Sequence, residues 1–306
     1  MNDNNKIVRF DWAAKRMLRD KANFGVLEGL ITVLLNEKVT IEQILESESN
    51  QNSRDDKFNR VDIKALNSKG EIIIVEIQLT RELYYLERIL YGTSKAITEH
   101  ITLGSKYDSV KKVYSISILY FDLGKGADYL YHGRTSFVGV HTGDHLQINA
   151  KEKNVIRMRS PEEVFPEYYI IRVNEFNQVA TTPLEEWLDY LKTGHIKEDT
   201  TAPGLGEARE KLQYLTMSKK ERLAYDEHLN AVMIQNDVLD TAKEEGRAEG
   251  RAEGIAEGRA EGITIGEEIG IEKGIIATAR NLKQLGLSLD MIVKATGLTV
   301  EEIEKL

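Results

Sequence analysis

The chain has 306 residues, 41% of them hydrophobic and 30% charged, with a formal net charge of −9 and no cysteine. The lack of cysteine excludes disulfides, thiolate catalysis and cysteine–zinc sites, and no apolar run approaches the roughly 18 residues that would span a membrane. The acidic balance argues against a surface built mainly to grip phosphate through Lys and Arg, although a local basic patch or a bound cation can reverse that at one place.

The opening, MNDNNKIVRFDW, carries no apolar signal region, so a cytoplasmic setting is expected. Phe10–Lys21 reads as a helix with Asp11 near its start, where a carboxylate suits the helix dipole. Ala22–Leu35 continues helically, and Phe24, Leu27, Leu30, Ile31 and Leu34 fall at the spacing of a buried face. Glu28 within it is either an exposed helix position or an additional acid facing a site. Thr40–Ser49 is ambiguous: Thr40 with Gln43 resembles a capping box, yet the stretch also suits a short strand. Asn50–Asn59 reads as a polar loop.

Val61–Thr80, VDIKALNSKGEIIIVEIQLT, reads as a β-hairpin. Alternation in Val61–Leu66, the turn cluster Asn67-Ser68-Lys69-Gly70 and the β-branched run Glu71–Leu79 all agree. Side chains at i and i+2 share a strand face, so Glu76 and Gln78 point the same way. A short turn brings Asp62 to within about a residue of the position opposite Glu76. Two carboxylates on neighbouring strands with a polar side chain beside them are enough to hold a hard divalent cation. The apolar neighbours of Glu76 indicate a strand covered on both faces, where a carboxylate needs a partner. By spacing alone D-x13-E-x-Q is equally the pattern of a solvent-facing strand.

Arg81–Leu103 reads as a helix with Leu83, Leu86, Ile89, Leu90 and Ile97 on one face and a stop at Gly104. Arg88, Tyr91 and Lys95, at i, i+3 and i+7, share another. Val110–Leu123 alternates as a central strand should, and Phe137–Ile148 and Val155–Met158 read as short strands. Helix, strand, hairpin, helix and strand in that order predict an α/β fold of the α+β type, with a mixed sheet covered by helices.

Ser160-Pro161-Glu162-Glu163, Thr182-Pro183-Leu184-Glu185 and Ser218-Lys219-Lys220-Glu221 are helix-start signals. Residues 182–242 read as mostly helical, interrupted by a flexible loop over Thr193–Gly206. Glu245–Gly274 repeats Gly every four residues, at about 1 kcal/mol per Gly relative to Ala in a helix. That stripe is either a helical arm for homo-oligomer formation or a solvated linker. Ile276–Leu306, with Leu282, Leu285, Met291, Ile292, Leu298 and Ile303, reads as a small helical packing module. Its second helix carries Glu301, Glu302 and Glu304, where groove reading would need bases. The expected division is one domain over 1–240 (core about 10–125, helical part about 160–240), the arm or linker over 241–275 and the cap over 276–306.

The hairpin in this element order resembles the PD-(D/E)xK nuclease superfamily. More narrowly, the chain resembles the PD-(D/E)xK family transposases, also called Rpn recombination-promoting nucleases. FDWAAK resembles that family's opening motif, with Ala14 in place of an aromatic. VDIKALNSKGEIIIVEIQ resembles its metal-site hairpin, ERILYGTSKAI and LGSKYDSVKKVYSISILYFD the helix and strand that follow, and the Glu–Gly repeat with TGLTVEEIEKL its tail. The resemblance implies a restriction-endonuclease-like core with a helical C-terminal extension. The implied activity is phosphodiester hydrolysis by a Mg2+ (or Mn2+) dependent DNA endonuclease associated with mobile elements or recombination. It places the metal on Asp62, Glu76 and the carbonyl of Ile77. Gln78 stands where the superfamily has Lys and would orient the attacking water; Arg88 or Lys95 would contact DNA and supply the missing charge; Asp11 and Lys15 would complete the site. Glu28 would stand in for the superfamily's first-helix acid. The alternative is a catalytically silent oligomeric relative that binds DNA or protein.

Overall fold

The computed structural model of the chain describes residues 7–45, 61–101, 106–152 and 155–306. The expected loop at Asn50–Asn59 and helix stop at Gly104 lie outside the described residues. The chain divides into two compact units, Met1–Asn230 and Ala231–Leu306.

The first unit begins with α1 (Phe10–Arg16), α2 (Phe24–Leu35), β1 (Ile41–Ile44), β2 (Ile63–Asn67), β3 (Ile72–Gln78), α3 (Tyr85–Thr98) and β4 (Val113–Leu119). It continues with β5 (Leu130–Gly133), β6 (Ile148–Glu152), β7 (Val155–Arg159), β8 (Glu167–Arg172), α4 (Pro183–Thr193), α5 (Leu205–Lys211) and the first turns of α6 (Lys219–Gln284). Six strands form one mixed sheet in the order β1-β2-β3-β4-β8-β5, and β6 with β7 forms a separate ribbon. β1, β2 and β3 pair antiparallel; β3, β4 and β8 run parallel; β5 closes the edge antiparallel to β8. A parallel step needs a crossover, and α3 supplies the one from β3 to β4. This is the mixed-sheet α/β architecture that the element order predicts, with a helical extension.

Alternation along β3 divides its side chains between two layers. Ile73, Val75 and Ile77 join the main core, packed with Phe10 and Trp12 of α1, Leu27, Leu30 and Ile31 of α2, and Trp187 and Leu191 of α4. Ile72 and Ile74 face the other way, against Ala96 of α3. Glu76 and Gln78 share that second face by their period of two, so α3 forms one wall of whatever they line.

Several expectations change. Thr40 caps no helix, because Ile41–Ile44 pairs with β2 as a strand. Ser160–Glu163 does form a capping box, but around a single 3-10 turn, and the chain then enters β8. Phe137–Ile148 is not a strand; it holds one isolated bridge, Val138 to His145, before β6 starts. The buried face of α3 is Tyr85, Ile89, Gly92, Thr93 and Ala96, whereas Leu83, Leu86 and Leu90 are more than half exposed. The helix carries apolar residues on two sides, and packing onto β4 selects the side with small residues. Glu28 is neither exposed nor near the hairpin acids. Its carboxylate accepts from the Ile41 N–H at 2.7 Å, and Ile41 pairs with Asn67, the end of β2 far from Asp62.

The segment between α4 and α5 is packed. Ile196 and Ala202 are buried, and Trp187 Nε1 donates to the Pro203 carbonyl at 2.9 Å. Gly29 of α2 makes this possible, since a Cβ there would lie 2.3 Å from Pro203 O and 2.4 Å from Gly204 Cα. Gly29→Ala is therefore expected to lower stability by about 1–3 kcal/mol through overpacking, despite Ala's higher helix propensity. Gly206→Ala, whose Cβ would meet open space, should gain up to about 1 kcal/mol. Thermal melts of the two variants against the parent check the contrast.

In the second unit α6 stays helical through the whole Glu–Gly repeat. Alanine and glutamate between the glycines are strong helix formers. Gly286 and Gly297, at φ 81° and 73°, end α6 and α7 (Leu289–Thr296), and a Thr299–Glu302 capping box starts α8 (Val300–Glu304). Ala279, Ile292 and Ile303 make the small core with Leu282 and Leu298, while Leu285 and Met291, expected within it, are exposed. Among the described residues no helix is long and apolar enough to cross a membrane.

Candidate functional site

The ladder of β2 and β3 pairs Ile63 with Val75. One further step places Asp62 opposite Glu76, and opposed residues of an antiparallel pair present their side chains to the same face. β2 has ended by then, so the Asp62 carboxylate does what the next rung would do. Its Oδ2 accepts from the Ile77 N–H at 2.7 Å. In a strand the N–H and C=O of one residue point to the same neighbour, so the Ile77 carbonyl also extends toward this end of β2. Two cations reach Asp62 from α1 and the turn after it: Lys15 Nζ lies 3.6 Å from Oδ1, and Arg19 Nη2 donates to the Asp62 carbonyl at 2.7 Å.

Glu76 is only 4% exposed. Tyr85 of α3 donates to its Oε2 at a long 3.4 Å, and Arg88 Nε stands 3.7 Å from the same oxygen. Burial pushes the carboxyl up to about 7; Arg88 pulls it back, and the charge of Asp62 adds to the rise. Gln78 Nε2 donates to Glu82 Oε1 at 2.6 Å, and Arg88 Nη1 donates to that oxygen at 2.5 Å.

The structure therefore brings Asp62, Glu76, Ile77, Gln78, Lys15 and Arg88 to one end of the hairpin. Lys95 lies two turns further along α3 from Arg88 and is half-buried. Asp11 has partners of its own. Fully buried, it receives Arg9 Nε on Oδ1 at 3.1 Å, and His228 Nε2 of α6 lies 3.0 Å from its Oδ2. Burial opposes its ionisation, but the His228 hydrogen bond and the Arg9 charge outweigh it and hold the carboxyl below the usual range. Its contacts thus pin the first turns of α6 onto α1.

Glu82, Tyr85 and Arg19 were missed by sequence reasoning. The available signal was weak: a Glu four residues after Gln78 and six before Arg88, in the turn joining strand to helix. It becomes legible only once α3 is known to fold back over β3.

Among the described residues no cluster of three His, Cys, Asp or Glu side chains is poised for a metal. The donor set is two carboxylates and a main-chain carbonyl. Mg2+ is commonly held by one or two carboxylates and keeps several waters, so these residues fit such an ion. Glu76 fits for a second reason, as a buried carboxylate whose nearest cationic nitrogen is 3.7 Å away. A family model described as PD-(D/E)XK nuclease family transposase matches residues 8–242. No curated protein and no solved structure matches the chain.

Proposed function

Since the chain belongs to the PD-(D/E)XK nuclease family transposases, we propose that it is a metal-dependent DNA endonuclease of the Rpn recombination-promoting type, acting in the cytoplasm. The observation that carries this reading is the juxtaposition of Asp62 with the buried, hard-to-ionise Glu76 at the open end of the hairpin. Asp62, Glu76 and the Ile77 carbonyl would hold Mg2+ or Mn2+. When bound, that ion supplies Lewis-acid polarisation of the phosphodiester and a more acidic water. Arg88 and Lys15 flank the carboxylates and would neutralise the charge that builds on the phosphate in the transition state. Gln78 would orient the water, and Lys95 would contact the DNA backbone farther along α3.

One observation favours the catalytically silent alternative: each carboxylate already has a cation within 4 Å, Lys15 for Asp62 and Arg88 for Glu76. Supercoiled plasmid incubated with the pure full-length protein separates the two readings. The nuclease reading requires nicking with Mg2+ or Mn2+ and none with EDTA.

The reading extends to a division of labour, with the nuclease over residues 1–240 and homo-oligomer formation through 241–275. Support comes from the glycines Gly246 to Gly274, where an added Cβ meets nothing within 4 Å, and from the exposed Ile255, Ile263 and Ile271 beside them. Small residues on a helix stripe let a second backbone approach closely. Replacing Gly250, Gly254, Gly258 and Gly262 together by Ala should raise helix propensity by about 1 kcal/mol per site yet shift the particle toward monomer. Light scattering at micromolar concentration reads this directly; a monomeric parent protein would remove the oligomer reading.

A further inference from the structure

Gln78 stands where a Lys would offer the cleft a cation, but an amide has two unlike ends. One end donates through two N–H bonds and the other accepts through a carbonyl. Which end works in the cleft is decided by what holds the other. An ionised carboxylate only accepts, so the 2.6 Å contact to Glu82 Oε1 places the NH2 group on Glu82. Both N–H bonds leave the same nitrogen, so the second stays at that end. Arg88 Nη1 donates to the same oxygen. Glu82 is no part of the hairpin: it sits in the turn entering α3, and the same helix delivers Tyr85 and Arg88 to Glu76.

We propose that Glu82 is a positioning residue that locks the Gln78 amide with its carbonyl Oε1 as the working end. Gln78 then serves the attacking water as a hydrogen-bond acceptor and makes no donation to the phosphate. This rests on the nuclease reading and deepens it. In the step so served, the water oxygen forms a bond to phosphorus and one phosphorus–oxygen ester bond breaks. The leaving oxygen departs with the bonding electron pair and takes a proton from solvent, while the water's own proton passes to solvent, because an amide oxygen orients it but is too weak a base to keep it. Positive charge at the phosphate falls to Arg88 and Lys15.

A polarity swap tests this in the full-length protein. E82Q sets a second two-ended amide opposite Gln78, so that Gln78 is no longer held one way round, and should lower kcat for nicking about 10–100-fold, as losing an outer partner of a metal site typically does, with KM for DNA little changed. Q78E sets two carboxylates against each other and should lose at least as much. The double variant Q78E/E82Q restores the pair with its polarity reversed and its net charge conserved: the amide at 82 donates to one carboxylate oxygen at 78, and the other oxygen accepts in the cleft. It should recover most of the kcat lost in either single variant. Melting temperatures of the four metal-free proteins provide a readout independent of turnover. Each single change should lower the melting temperature, and the double change should lower it less than their sum.

A swap as inactive as E82Q or strictly additive melting shifts would each overturn the inference. A parent protein that does not nick with either metal would instead overturn the nuclease reading, and the role of Gln78 with it. That result is distinct from a parent that nicks and a swap that fails to recover.

Discussion

Asp62→Asn and Glu76→Gln should each cut plasmid at least about a thousandfold more slowly than the parent protein, with secondary structure unchanged. The magnitude follows from several kcal/mol of transition-state stabilisation supplied through a bound cation, at about 1.4 kcal/mol per tenfold. The amide variants are chosen over Ala for a structural reason. Asp62 Oδ2 accepts from the Ile77 N–H, and Ala would leave that donor unmet at about 1–3 kcal/mol. Asn keeps an acceptor there while removing the charge, and Gln at 76 keeps a partner for Tyr85. Calorimetric titration with Mn2+ should show binding to the parent and none to either variant. An Asp62→Asn protein that still nicks at the parental rate would move the metal site away from the hairpin.

Glu76 should also make the metal-free protein lose stability as pH rises through the mildly acidic range. An ordinary Glu ionises near 4.5; burial first, with the Asp62 charge adding to it and Arg88 opposing, moves Glu76 up to about 7. Between those two values the folded chain holds a proton that the unfolded chain has released, so stability falls with rising pH. The loss is complete just above pH 7 and amounts to roughly 3 kcal/mol. Glu76→Gln carries no such proton. Parent and variant should therefore melt together near pH 4.5 and separate by several degrees at pH 8, with the variant more stable. A divalent cation at pH 8 should raise the parent's melting temperature and leave that of Glu76→Gln unmoved. Parallel melting curves from pH 4.5 to 8 would show that Glu76 titrates alike in the folded and unfolded chain, and that its burial is relieved by something other than a bound cation.

How far the sequence goes depends on the range of each interaction. The hairpin was legible because its evidence lies within twenty residues: alternation, a Gly-containing turn, a β-branched run, and Glu76 two residues before Gln78. The capping boxes at Thr182, Ser218 and Thr299 were legible because each is a reciprocal bond between residues three apart. The order of elements was enough to expect a mixed sheet with helices on it.

Contacts across the fold decided the rest. β8 was hidden because its defining partner is β4, some fifty residues earlier, and a parallel strand leaves no turn signal. The apolar residues of α3 suit either of two faces, and only the small residues under β4 show which one is buried. Asp11 reads as a site residue from its place before Lys15, yet its partner is His228, 217 positions away. Glu28 likewise answers to Ile41. By itself the sequence determined that Asp62 stands against Glu76, because strand period and turn length place them there. Only the tertiary structure decided what surrounds them, since burial, the reach of Arg88 and the hold of Glu82 on Gln78 exist only once α3 has crossed back over the sheet.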